Sequence, residues 1–158
     1  MFWIKYFKHG GTWVTTKVAS KFVDLIQNNT ARIESLRTCK EIIDAYFQVK
    51  FRVGEISSNA ERGTAGMGAG AESAVLSSAR FEAANAVNRF ASLGTYLANL
   101  RDDATRERYT NLSQELEKIV TQAARTPRSE VDKLFENADR IFAMMNDDCV
   151  KAAKNTSI

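Results

Sequence analysis

A chain of 158 residues is long enough to bury one core without help from metals or disulfides, and 44% hydrophobic with 26% charged residues is the balance of a globular domain, which excludes a disordered or membrane-embedded chain. The net charge of +3 is unevenly spread: residues 1–54 hold nine Lys and Arg against four acids, and residues 55–158 hold thirteen against fifteen. The basicity is therefore local, a small positive field at one end of the molecule.

The chain opens on an aromatic and basic leader, residues 1–11. Phe2, Trp3, Ile4, Tyr6, Phe7 and, just beyond, Trp13 lie among Lys5, Lys8, Lys17 and Lys21, with no acid before Asp24. Lys5 interrupts the apolar run too early for a signal peptide, and no later stretch approaches the ~20 apolar residues of a membrane span, so a cytoplasmic protein is expected. Three readings compete for the leader. Its rings fold back over one end of the core, as large apolar side chains usually do; or Phe2, Trp3, Lys5, Tyr6, Phe7, Lys8, Trp13, Lys17 and Lys21 bind a partner protein, since aromatic anchors dominate interfaces; or rings and lysines sit at a membrane surface. His9, the one histidine, stands beside Gly10 in a loop without a Cys or Ser partner, which leaves no nucleophilic constellation around it.

After Gly10 and Gly11, Thr12 starts a short helix with the stripe Val14, Val18, Phe22, Leu25 and Ile26, ending near Gln27. Asn28, Asn29 and Thr30 carry capping chemistry and predict a break, followed by a second helix through Ile33, Leu36, Ile43, Phe47, Val53 and Ile56. Four glycines within residues 63–70 predict an interhelical loop; no strand precedes them and no Lys-Ser or Lys-Thr follows, so a phosphate-cradling loop is not expected. Leu76, Ala79, Ala83, Ala86, Phe90, Leu93, Leu97 and Leu100 then recur at spacings of three and four, the pattern of a bundle seam that pairs within the chain or between chains.

That seam loses phase at Asp102 and Asp103 and restarts at Tyr109, Leu112, Leu116, Ile119 and Ala123, which predicts a helix start at Asp102 rather than one continuous helix over 72–124. Thr126 and Pro127 read as N-cap and first helical residue of a last helix, whose stripe is Val131, Leu134, Phe135, Ala138, Ile141, Phe142, Met145 and Cys149. The tail, residues 154–158, is expected to fray. The one proline, Pro127, falls between helices, as uninterrupted helix elsewhere requires.

These elements compose a single all-α domain over 1–158: an antiparallel, up-and-down bundle of four main helices plus a shorter N-terminal helix, with no internal repeat. Cys39 and Cys149 lie on apolar stripes without C-x-x-C spacing, and two buried free thiols are expected. With one histidine, a carboxylate di-metal site of the kind bundles house is not available, and neither cofactor, metal, catalytic residue nor small-molecule substrate is expected. Arg101, Arg106, Arg108, Arg125 and Arg128 cluster in sequence near the ends of the fourth helix and form a candidate phosphate-facing surface, tempered by Asp102, Asp103, Glu107 and Glu130 among them. The expected function is that of a non-enzymatic interaction protein, with another protein, or a second copy of the chain, as partner. The alternatives are a nucleic-acid accessory protein using the lysines and the arginine cluster, and membrane-surface docking through the leader. An enzyme comes last, with Asp102, Asp103, Tyr109 and His9 its only polar candidates.

Overall fold

The computed structural model describes residues 12–66 and 73–154, with side chains for 18–63 and 73–154. The leader residues Phe2, Trp3, Lys5, Tyr6, Phe7, Lys8 and His9, and the tail beyond Lys154, lie outside the described residues, as do the side chains of Trp13 and Lys17. Four long helices carry the fold: α1 (Thr12–Gly66), α2 (Ala74–Leu100), α3 (Asp103–Ala123) and, after a 3-10 turn (Arg128–Glu130) and the short α4 (Val131–Leu134), α5 (Glu136–Lys154). No strand occurs among the described residues.

The all-α, antiparallel reading stands. On α1 and α2, Asp44 pairs with Arg89 while the earlier Glu34 meets the later Tyr96. On α1 and α5, Tyr46 reaches Asp139 while the earlier Cys39 meets the later Cys149. In each case the numbering rises along one helix as it falls along the other. One core joins them, built around Tyr46, Phe90, Phe135, Ile42, Ile56, Leu97 and Leu116. Tyr46 is its polar exception: the ring stacks on Phe142 at 4.0 Å between centroids, and the hydroxyl donates to Asp139 Oδ1 at 2.7 Å. Burial and the adjacent Asp139 carboxylate both push that hydroxyl's pKa upward, so it stays a donor.

The expected short N-terminal helix is corrected: α1 runs unbroken through Asn28, Asn29 and Thr30. None of the three is Gly or Pro, and the penalty of about 0.5 kcal/mol each against alanine is too small to interrupt a helix already propagating on both sides. Thr30 turns its hydroxyl back to the Ile26 carbonyl at 2.9 Å instead of capping a new start. Likewise the glycine loop is shorter than expected, because α1 continues through Gly66; residues 67–72 lie outside the described residues. The break at Asp102 is as expected, with its carboxylate accepting from Thr105 N at 2.8 Å and from the Thr105 hydroxyl at 2.7 Å.

Thr126 is not the N-cap of the last helix. Its hydroxyl bonds back to Gln122 O, and Pro127 precedes a 3-10 turn whose first free N–H, on Arg128, is taken by Glu61 Oε1 from α1 at 2.6 Å. Ser57, fully buried on α1, donates to the Thr126 carbonyl at 2.5 Å. Two α1 side chains thus hold the turn, which relieves Thr126 of the capping role. The last helix is also interrupted at Phe135, between α4 and α5.

The two cysteines are not free thiols. Cys39 and Cys149 form a disulfide between α1 and α5, with Cα atoms 6.1 Å apart and 110 residues between them in sequence. Packing of α2 on α3 depends on Gly94: a Cβ there would sit 2.6 Å from Tyr109 Cβ, so only glycine admits the Tyr109 side chain at this position.

Candidate interaction surface and the cavity at Arg101

The stripe expected for the second helix divides between two faces of α1. Val53 and Ile56 are buried, whereas Ile33 and Phe47 are exposed. Turning the helix at about 100° per residue, the buried residues from Ser35 to Ser57 occupy a sector centred roughly opposite one that holds Val18, Phe22, Ile26, Ile33, Phe47 and Phe51. All six of those are exposed, between 50% and 62%. The helix therefore carries two apolar faces, and only the inner one is used by the bundle.

The outer face begins before the bundle does. Every residue from Val18 to Ala31 is exposed, and the first fully buried position is Ser35. The expected stripe Val18, Phe22, Leu25 and Ile26 is real as a stripe but is turned to solvent. Lys21, named among the partner-binding residues, stands in this exposed segment. Toward the other end of α1 the outer face runs into a groove of about 500 Å³ lined by Phe51, Gly54, Ser58, Arg62, Val75 and Arg128 among others. Val75, on α2, is itself 61% exposed. Single exposed apolar residues are ordinary; an aligned row of six on one helix is the kind of surface that partners cover.

The five arginines do not form one patch. Arg101 and Arg108 lie at the start of α3, and Arg125 and Arg128 at its far end, roughly 30 Å away along a 21-residue helix. Arg106 is engaged with Asn99 at 2.7 Å and faces Asp103 at 3.7 Å, while the Arg128 guanidinium lies over Gly54.

Arg101, Asp102, Thr105, Arg108, Tyr109, Met145, Asp148 and Cys149 line a cavity of about 150 Å³. Arg101 donates to the Cys149 carbonyl at 2.6 Å and approaches Cys39 Sγ at 3.8 Å, tying the end of α2 to the disulfide. Burial lowers its pKa from the ordinary guanidinium value. Tyr109 is 4% exposed with no hydrogen bond to its hydroxyl, and burial pushes its pKa up to about 12. A phenol so shifted is no base at neutral pH. Asp102 is held below the usual carboxylate range by its bonds from Thr105, and Asp103 is fully exposed. Two arginines and two carboxylates share this cavity, so it has no net excess of either sign. Among the described residues no group of three or more His, Cys, Asp or Glu is placed to hold a metal ion, and no helix is long and apolar enough to cross a membrane.

The outer face escaped sequence reasoning, although its signal was present: Phe47 and Phe51 repeat the i, i+4 spacing of Val18, Phe22 and Ile26 in phase with them. No known family model matches the chain, and no curated protein or solved structure is similar enough to it to count as a match.

Proposed function

We propose that this is a non-enzymatic helical interaction protein, binding another protein through its N-terminal segment, in which the leader continues into the outer face of α1. The observation that carries the reading is the row Val18, Phe22, Ile26, Ile33, Phe47 and Phe51, exposed on a helix whose opposite side is buried in the bundle from Ser35 onward. A long helical face of this kind fits the apolar side of another helix, with i, i+4 anchors entering its grooves. Nucleic-acid binding is the weaker reading, because Arg101 and Arg108 are separated from Arg125 and Arg128 by the length of α3.

The cytoplasmic location expected from the sequence sits poorly with the buried Cys39–Cys149 disulfide. Such bonds persist in oxidising compartments, and an oxidising environment is the better reading.

The test is capture from the native cells with the full chain tagged at its C-terminus, with and without nuclease, beside a variant lacking residues 1–11 and the double variant Phe22→Glu/Ile26→Glu. The reading expects a defined protein retained after nuclease and lost from both variants. Stoichiometric nucleic acid, or a captured set indifferent to both variants, would overturn it.

A further inference from the structure

We infer that the occupant of the outer face of α1 is a second copy of the same chain, laid antiparallel across a two-fold axis near residue 42; this rests on the reading of that face as an interface. An isologous contact requires that one surface complement itself, and the charged centre of this surface does so in register. With the axis at residue 42, each position faces the one as far beyond the axis on the other copy. Lys40 then meets Asp44 of the second copy, and Asp44 its Lys40, so the two charges that interrupt the apolar row neutralise each other twice. Ile33 meets Phe51 in the same way, apolar against apolar, and Phe47 meets the stem of Arg37. Residues 22 and 26 fall opposite Arg62 and Ser58, which places Phe22 and Ile26 over the groove lined by Phe51, Gly54, Ser58, Arg62 and Val75, with the aliphatic stem of Arg62 under the Phe22 ring. The exposed extension of one copy thus lies along the groove of the other.

Lengths agree with this. Residue 42 lies near the middle of α1, which spans Thr12–Gly66, so an antiparallel pair overlaps along almost the whole helix. A parallel pair would set Lys40 against Lys40 and Asp44 against Asp44, and like charges facing each other oppose assembly. Asp44 already accepts from Arg89 at 3.1 Å on a surface where both remain about half exposed or more, which leaves room for a second cation.

Sedimentation equilibrium on the full chain tests the pairing. The wild type is expected to form a monomer–dimer equilibrium; Lys40→Asp and Asp44→Lys are each expected to weaken it at least about fivefold, since each disrupts two pairs, and their combination to restore it. Orientation is read by oxidative cross-linking, the native cysteines being buried and already joined. Ile33→Cys/Phe51→Cys should link copies, whereas Ile33→Cys alone should not, because antiparallel packing sets the two residues 33 roughly 27 Å apart. A chain monomeric up to its solubility limit, a dimer indifferent to the charge swaps, or linkage through Ile33→Cys alone would each overturn the inference. If the chain proves monomeric while Phe22→Glu/Ile26→Glu still releases a captured protein, only self-pairing falls; if that variant also changes nothing, the interface reading falls with it.

Discussion

From Val18 to Ile33 and from Ser35 to Ser57, α1 is one helix with one apolar spacing, yet the two stretches have opposite fates. In the second, Tyr46, Val49, Val53 and Ile56 are almost wholly buried; in the first, Val18, Phe22 and Ile26 stand half or more in solvent. Val18, Phe22 and Ile26 share the outer face with Phe47 and Phe51, which is exposed even beside the bundle; what differs between the stretches is the inner face, covered only where the rest of the chain can reach. Here α2 and α5 end near the level of residues 34–39, where Tyr96 donates to Glu34 at 3.3 Å and Cys149 joins Cys39. The bundle has no more helix with which to cover the extension.

If stability resides in the bundled stretch, the largest loss should come from its outermost tie. Replacing both Cys39 and Cys149 by alanine frees a 110-residue loop and is expected to cost about 3–5 kcal/mol, read as the shift in a urea unfolding midpoint. Gly94→Ala comes next. Its gain of about 1 kcal/mol in helix propensity is opposed by overpacking against Tyr109, worth about 1–3 kcal/mol and undiminished because the neighbour is the Tyr109 Cβ rather than a flexible tip, so a net loss is expected in the same assay. Smaller still is the pH effect of the Asp102 cap. Its folded pKa is depressed, so its contribution is complete above the ordinary carboxylate pKa and fades as pH falls through the lower, folded value. Melting temperatures of wild type and Asp102→Ala should therefore converge in acid, where the carboxylate is neutral in both states. The smallest effect belongs to the extension: Ile26→Glu, measured at dilutions where copies are apart, is expected to change unfolding stability by no more than ~0.5 kcal/mol. A large loss there would mean that Ile26 packs within its own chain, and would erase the distinction between the two stretches.

Much of the fold was legible because local chemistry and tertiary contact agree. Asp102 caps α3, the stripe from Tyr109 to Ala123 is buried, and Val131, Phe135, Ala138 and Phe142 enter the core, each as its spacing implies. The failures have specific causes. Asn28, Asn29 and Thr30 are poor helix formers only by fractions of a kcal/mol, and a rule about caps cannot tell that the helix on either side will carry them. Thr126 lost its expected role to Ser57 and Glu61, which lie about 65 to 70 residues away in sequence. The disulfide was hidden by the same remoteness, since nothing in the spacing of Cys39 and Cys149 announces that α1 and α5 run side by side. As for the interface, Ile33 and Phe47 were grouped with Val53 and Ile56 into one stripe, although at about 100° per residue Val53 lies about 200° round the helix from Ile33, on the opposite face. The leader's own aromatic residues lie outside the described residues.

The Cys39–Cys149 bond also has a topological meaning. It closes residues 39–149 into a covalent ring that contains α2, α3 and most of the core, and leaves the stretch 18–31 of α1 outside it as an exposed arm. A protease cutting between Lys17 and Arg32 would shed the arm and leave the ring whole, so the chain could be separated from whatever the arm holds without being unfolded.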